Sequence, residues 1–162
     1  MPTTDRLLLR NTQMSDAPAL FAFLGDQEAM RHTLSFPTLR DCRRHIAGHL
    51  WERRRNGYAP WTIITRANDA IVGWGGLYED PFDRGWGVEV GYWFARSAWG
   101  KGYATEVVRA SLDHARRCGL ADVSAFARPG NIASCRVLEK AGFRKERFVP
   151  SLDRNLYRRR FK

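Results

Sequence analysis

The chain has 162 residues, 44% of them hydrophobic, and a formal net charge of +10. That length fits one domain with a sizeable core, and no stretch approaches the roughly 20 apolar residues that a membrane span needs. The three cysteines are odd in number and lack CxxC spacing, which argues against a disulfide framework and a zinc ribbon. We expect a single domain over residues 1–162, in the cytoplasm and with no membrane partner.

Hydrophobic periodicity predicts an α/β chain without repeats, linkers or low-complexity segments. The expected strands are residues 6–10, 61–65, 70–78, 88–94, 123–127, 143–148 and 156–161. The expected helices are residues 15–24 with Ser15 as the cap, 38 or 41 to 55, 103–118 and 132–141. Strands and helices alternate only in the second half of the chain. We therefore expect an α+β fold with a mixed, mostly antiparallel central sheet and helices on both faces.

Residues 88–105 combine a strand, a glycine-rich turn and the start of a helix. Gly100 and Gly102 flank Lys101, and apolar residues then recur at helical spacing. Backbone N–H groups and the helix dipole make such a turn an anion site, and glycines let a diphosphate approach the backbone closely. The spacing matches neither a P-loop nor a dinucleotide fingerprint. We expect a phosphorylated ligand at this turn.

A second motif, residues 131–143, reads Asn-Ile-Ala-Ser-Cys-Arg-Val-Leu-Glu-Lys-Ala-Gly-Phe. Together with the turn at residues 99–104, it resembles the motifs of the GNAT superfamily of acetyl-CoA-dependent N-acetyltransferases. Two residues depart from the family pattern. Trp99 stands where the family usually has Gln or Arg, and Leu138 stands where many members carry a tyrosine proposed as general acid. The resemblance therefore implies a GNAT-like fold whose general acid lies elsewhere.

The resemblance covers nearly the whole chain, from about residue 4 to about residue 148. Within the superfamily it is nearest to the branch of ribosomal-protein alanine N-acetyltransferases. The segments that carry this narrower resemblance are residues 4–10, 16–17, 89–93 and 99–106. It implies acetyl transfer to a primary amine, either a protein N-terminus or a small amine.

The resemblance also implies acetyl-CoA as co-substrate, bound along a strand, the glycine turn and the helix of the second motif. The residues implied to contact it are Phe94, Ala95, Arg96, Gly100, Lys101, Gly102, Tyr103, Ala104, Thr105, Asn131 and Ser134. No metal is expected, because His45 and His49 are spaced i, i+4 but no third ligand accompanies them.

Acetyl transfer needs a base for the amine, an N–H donor for the oxyanion and a proton or hydrogen bond for the departing thiolate. Glu89 is the candidate base; alternatively it binds the substrate ammonium or is a surface carboxylate paired with an arginine. Ser134 is the candidate donor to the sulfur, or simply a small residue at a helix start. Asn131 is the helix cap, a pantetheine ligand, or both.

The acceptor side is less well defined by the sequence. Trp61, Trp74 and Trp86 are expected to lie near it, while His32, Glu79 and Asp80 are weaker candidates for contacting the amine. The sequence leaves two other function classes open: a catalytically weak GNAT-fold module associated with RNA or the ribosome, and a CoA-binding regulatory protein. Both a monomer and a homodimer fit the sequence.

The last 19 residues carry eight basic and two acidic side chains. This charge is interpreted either as a steering surface for nucleic acid or an acidic protein, or as a solvated edge strand whose cations discourage edge pairing. The edge strand is the favoured interpretation, so a nucleic-acid partner is possible but not favoured. Alternation predicts Arg158 and Arg160 on one face and Tyr157 and Phe161 on the other.

Overall fold

Seven strands form one sheet in the computed structural model of the protein, which describes residues 1–162. The strands are β1 (Leu7–Asn11), β2 (Trp61–Thr65), β3 (Ile71–Glu79), β4 (Val88–Phe94), β5 (Asp122–Ala127), β6 (Arg144–Val149) and β7 (Arg154–Arg160). Their order across the sheet is β1-β2-β3-β4-β5-β7-β6, and only the β4–β5 pair is parallel. The mixed, mostly antiparallel sheet expected from the sequence is confirmed.

Four helices accompany the sheet: α1 (Ala17–Leu24), α2 (Leu39–Asn56), α3 (Tyr103–Arg117) and α4 (Ile132–Lys140). Thr38 caps α2 by accepting a hydrogen bond from the Asp41 amide, and Gly57 ends it in a left-handed conformation with φ +86°. The prediction that Ser15 caps the first helix is wrong. Asp16 holds that position without a side-chain hydrogen bond to the helix; its buried carboxylate instead accepts from the Gln13 amide and pairs with Arg10 at 2.7 Å.

The helices cover both faces of the sheet, as expected from the sequence. On one face α1 and α2 pack on β3, with a cluster that includes Leu20, Ile46 and Trp74. On the other face α3 and α4 pack over the strands, with a cluster that includes Val108 and Leu138. Both clusters are almost fully buried. The apolar surface on each face of the sheet is therefore removed from water, which stabilises the layered arrangement.

The interpretation of the basic tail as an edge strand is correct for β6, which carries Arg144, Lys145 and Arg147, and wrong for the C-terminal strand β7. β7 lies between β5 and β6, and β6 forms the edge. Arg158 joins all three strands, because its guanidinium pairs with Asp122 at 2.6 Å and with Glu146 at 3.1 Å. Arg160 also pairs with Glu146, at 3.0 Å. The predicted alternation is correct: Tyr157 points into the core that Phe161 borders.

β4 and β5 separate soon after they meet. All seven residues of β4 pair with β3, whereas the only register pair with β5 is Glu89 with Ser124. The rest of the β4 edge therefore opens into a cleft in the middle of the sheet. No helix of the structure is long and apolar enough to cross a membrane.

Candidate active site

The open edge of β4 provides unpaired backbone groups inside the cleft. The Ala95 amide donates to the Val72 carbonyl at 2.9 Å, so it faces β3. Successive amides of a strand point to opposite edges, so the amide of Phe94 faces the cleft. A splayed strand of this kind holds preorganised N–H donors where a ligand can reach them.

A cavity of about 350 Å³, here called the large cavity, lies between the start of α3, β4 and α4. Gly100 and Gly102 turn the chain into α3 with φ values of +71° and +80°, a conformation that strongly favours glycine. Gly102 caps the helix without a side-chain hydrogen bond. The first N–H groups of α3 are therefore free to bind an anion with the help of the helix dipole.

Eight of the eleven residues that the resemblance implied for acetyl-CoA line the large cavity: Phe94, Gly100, Gly102, Tyr103, Ala104, Thr105, Asn131 and Ser134. Ala95, Arg96 and Lys101 do not line it. The Ala95 amide is bonded to β3, Arg96 pairs with Asp26 at 2.9 Å, and Lys101 is exposed to solvent. Asn131 accepts a hydrogen bond from the Ser134 amide at 3.3 Å, so it is the cap of α4.

The lining of the large cavity fits CoA. The anion-binding turn lies at one end, and most of the remaining wall is hydrophobic, as the pantetheine arm requires. These contacts remain predictions for each residue.

Tyr92 is the residue of this region that the sequence reasoning missed. Its hydroxyl lies 2.7 Å from the Ser134 Oγ, and burial raises the pKa of Tyr92 to about 12. The phenol is therefore protonated at neutral pH and can donate a hydrogen bond. Leu138, at the position of the family tyrosine, is a core residue that is 1% exposed. The available signal was the alternation of β4, which places Tyr92 on the same face as Val90 and Phe94.

Two smaller cavities continue from the large one. The central cavity, about 80 Å³, shares His32, Tyr92, Asn131 and Ser134 with the large cavity. The aromatic cavity, about 180 Å³, shares Tyr78, Trp93, Phe126 and Arg154 with the central cavity. The shared walls place the three cavities side by side, in a row that begins at the glycine turn.

Glu89 lies in the wall of the aromatic cavity and is 5% exposed. Burial raises the pKa of Glu89 to about 8, and Asp80 adds to this rise, while the hydrogen bond from Tyr78 and the nearby Arg154 oppose it. The Tyr78 hydroxyl donates to Glu89 Oε1 at 3.2 Å. Glu89 forms no ion pair, so the alternative of a surface carboxylate paired with an arginine is wrong.

Gly91 makes the contact between Tyr78 and Glu89 possible. A Cβ at Gly91 would lie 2.8 Å from a carbon of the Tyr78 ring, closer than real side chains approach. The missing side chain lets the ring lie across β4 and reach Glu89. This explains why the strand has glycine at that position.

Aromatic and imidazole rings enclose the rest of the aromatic cavity. His45 and His49 face each other with their Nε2 atoms 3.2 Å apart, and burial lowers their pKa values to about 4 and about 3. Both rings are therefore neutral at pH 7 and act as part of the wall. Trp74 and Trp86 also line the cavity, as expected from the sequence.

The structure places the four other candidates for the acceptor side in different parts of the molecule. Trp61 lies on the opposite face of the sheet, where it stacks on His114 with ring centres 5.3 Å apart, so its expected place was wrong. Glu79 does not line the aromatic cavity and accepts from Asn56, whereas Asp80 does line it. His32 lies in the walls of the large and central cavities.

Comparison with known proteins agrees with this geometry. The model of the acetyltransferase (GNAT) domain matches residues 6–144. The chain is 32% identical over 143 residues to the uncharacterized protein YkkB of Bacillus subtilis, which covers 86% of this chain and 82% of that protein. It is 29% identical over 149 residues to the uncharacterized N-acetyltransferase p20 of Bacillus licheniformis, covering 88% and 82% of the two chains.

Solved structures share the fold. RimL, a ribosomal L7/L12 N-acetyltransferase solved in complex with coenzyme A, superposes with a TM-score of 0.80 at 22% identity, covering 98% of this chain and 96% of that one. YncA of Salmonella typhimurium, a putative acetyltransferase solved with acetyl-CoA, superposes with a TM-score of 0.72 at 20% identity, covering 95% and 93%. From the family match and the relative in Bacillus subtilis, the chain belongs to the GNAT family of acetyltransferases.

Proposed function

We propose that this chain transfers the acetyl group of acetyl-CoA to a primary amine by direct attack while both substrates are bound. One observation carries the proposal: the central cavity, beside the open edge of β4, shares wall residues with both the large cavity and the aromatic cavity. Two substrates entering from the two ends would bring their reacting groups together there, so positioning supplies much of the rate.

Acetyl-CoA supplies an activated thioester. The free N–H groups at the start of α3 hold its diphosphate, with Gly100 and Gly102 allowing close approach. The apolar wall between β4 and α4 holds its pantetheine arm. The backbone N–H groups on the open β4 edge, that of Phe94 among them, face the acetyl end and stabilise the oxyanion that forms during attack.

Glu89 is the proposed base for the acceptor amine. A carboxylate whose pKa is raised to about 8 is a stronger base than a solvated one, and its ionised form, which predominates above pH 8, can take a proton from an ammonium. Its place in the wall of the aromatic cavity suits a direct contact or one through a single water. The hydrogen bond from Tyr78 fixes the orientation of the carboxylate.

Tyr92 and Ser134 are the proposed donors to the departing thiolate. Their hydroxyls are hydrogen-bonded, and both lie in the wall that the large and central cavities share. A hydroxyl donor reduces the cost of developing charge on sulfur, whose unperturbed thiol pKa is about 8.5. Tyr92 is thus the proposed general acid, the role proposed in many family members for a tyrosine at the position of Leu138.

The acceptor is either a protein N-terminus or a small amine. RimL-type neighbours modify the N-terminal serine of ribosomal protein L7/L12. In this chain the ring-lined cavity of about 180 Å³ favours a small amine. The basic tail offers the alternative of an RNA- or ribosome-associated module fewer free cations than its sequence suggests, because Arg158 and Arg160 are paired with carboxylates.

Initial-velocity kinetics test the proposal. Acetyl-CoA and amine concentrations are varied together over a panel of amino acids, arylalkylamines, polyamines and short peptides. Direct attack predicts intersecting double-reciprocal lines and one N-acetyl product for each CoA released. Parallel lines, or an acetylated protein formed without amine, would show a covalent relay instead.

A further inference from the structure

The aromatic cavity has room for a compact apolar group. Its volume of about 180 Å³ compares with about 150 Å³ for an apolar cavity that holds benzene. Trp74, Trp86, Phe126 and Trp93 contribute rings to its wall, and His45 and His49 are neutral. A phenyl ring or a branched aliphatic chain fits such a space.

Carboxylates lie in the same wall. Glu89 and Asp80 both line the cavity, and the charge of Asp80 contributes to the raised pKa of Glu89. An amine that must be deprotonated for attack arrives as an ammonium, which the ionised forms of Glu89 and Asp80 attract. The ammonium is therefore expected at the Glu89 side of the cavity, where Tyr78, the hydrogen-bond partner of Glu89, also lines the central cavity.

Arg154 is a cation in the wall of the aromatic cavity that forms no ion pair within the protein. It is the first residue of β7 and lines both the central and the aromatic cavities. Its Nε is buried without a hydrogen-bond partner, and the guanidinium forms no ion pair. By contrast, Arg158 and Arg160 of the same strand are paired with carboxylates.

A free guanidinium beside an ammonium site is unfavourable for a plain amine, because like charges repel at short range. It is favourable for an acceptor that brings its own anion. A guanidinium presents donors in a planar fork that matches a carboxylate, and such a pair also satisfies donors that burial has removed from water.

We infer that the acceptor is an amino-carboxylate, an amino acid with an apolar side chain, whose carboxylate pairs with Arg154 and whose ammonium lies at Glu89. The side chain occupies the space among Trp74, Trp86 and Phe126. This inference rests on the proposed acetyl transfer and goes beyond it by naming the acceptor class. A peptide N-terminus lacks the carboxylate at the required distance from the amine, so it is disfavoured.

Matched acceptors test the inference on the parent protein. L-phenylalanine, phenylalaninamide and phenethylamine share the ring and differ in the group next to the amine; leucine, leucinamide and isoamylamine form a second series. The kcat/KM for each amino acid should exceed that of its amide and its decarboxylated amine by at least about 10-fold, as expected for a charged hydrogen-bonded pair. Equal values, or a preference for the amide or the simple amine, would overturn the inference and leave acetyl transfer standing.

Arg154→Gln separates carboxylate binding from an effect on Glu89. The substitution should lower kcat/KM for the amino acid at least about 10-fold more than for its decarboxylated amine. Arg144→Gln, an exposed arginine on the edge strand β6, is the matched control and should preserve the parent's preference. An equal loss for all three acceptors would mean that Arg154 serves only Glu89, and would overturn the inference.

The parent comparison carries the test even where Arg154→Gln does not fold. If acetyl-CoA binds but no amine of either series, no peptide and no polyamine is acetylated, the proposed function fails together with the inference.

Discussion

The Tyr92 hydroxyl lies 2.7 Å from the Ser134 Oγ, joining β4 to α4 in the wall shared by the large and central cavities. In the proposed mechanism, this contact holds two hydroxyl groups beside the departing thiolate of CoA.

Tyr92→Phe removes one of these hydroxyls while keeping the ring that packs beside the core. We expect kcat to fall about 10-fold or more, because one transition-state hydrogen bond of about 1.5 kcal/mol is lost. Ser134→Ala should have a similar effect, and the double variant should lose less than the product of the two factors, since the groups act together. The measurement is steady-state kinetics with CoA affinity by calorimetry. Tyr58→Phe, a buried tyrosine outside the three cavities, is the control.

Unchanged kcat in Tyr92→Phe and Ser134→Ala would assign the departing thiolate to another donor or to solvent. A matching loss of CoA affinity would instead make the pair part of the binding wall.

Glu89→Gln tests the base. Since the pKa of Glu89 is raised to about 8, kcat/KM of the parent should rise with pH to a plateau above that value. Gln cannot accept the proton, so the variant should lose this limb and most of its turnover, with CoA affinity retained. Glu28→Gln, an exposed carboxylate paired with Arg31, should keep the parent's pH profile. An unchanged profile in Glu89→Gln would leave amine deprotonation to water or to the substrate.

The raised pKa of Glu89 also predicts that the free energy of unfolding depends on pH. Its pKa is 4.5 in the unfolded chain and about 8 in the folded one, so the folded chain holds this proton more tightly. The stability from this group is fully present below the unfolded pKa and is lost as the pH rises through the folded pKa. The slope is at most about 1.4 kcal/mol per pH unit.

Urea unfolding of parent and Glu89→Gln across pH 5 to 8 measures this effect, about 1.4 kcal/mol per unit at most. The free energy of unfolding of the variant minus that of the parent should increase with pH. The difference is needed because His45 and His49 act in the opposite sense: burial lowers their pKa values, so their stability is lost as the pH falls. A difference that is independent of pH would mean that Glu89 is not buried as an acid.

Arg158 is a structural residue in this account. It bridges β5 and β6 from the strand between them, and its side chain is 23% exposed. Arg158→Gln should therefore reduce the free energy of unfolding by about 1 kcal/mol, whereas Arg160→Gln, on an exposed side chain, should change it by less than about 0.5 kcal/mol. Chemical unfolding at low and high salt measures both. If both variants change the free energy of unfolding by the same small amount, the interpretation of the tail as a solvated surface is restored.

Much of this fold is readable in the sequence because its signals are local. The strand over Val88–Phe94 was predicted with its observed bounds, and α3 begins at Tyr103 as predicted, since the left-handed glycines before it fix its start. The order of strands is not local. Alternation indicated which face Arg158 occupies, but no pattern in the chain says that β7 inserts between β5 and β6.

The site divides in the same way. Gly100, Gly102 and Asn131 belong to motifs and were found from the sequence. Tyr92 and Arg154 were not, because their roles depend on where β4 leaves β5 and on which cavity a side chain enters. A tyrosine in a strand and an arginine at a strand start are ordinary residues until the fold brings them to the cleft.

Acetyl transfer at the junction of the cavities is tested most directly by product formation in a matched pair of glycine variants. Gly102→Val places a side chain where the diphosphate packs, and Gly119→Val imposes similar backbone strain, with φ +71° against +80°, away from the three cavities. We predict that the parent and Gly119→Val convert acetyl-CoA and amine into one N-acetyl product per CoA, while Gly102→Val loses CoA affinity and turnover by at least about 10-fold. The account is contradicted if the parent acetylates no amine, or if Gly102→Val binds CoA and turns over as well as Gly119→Val.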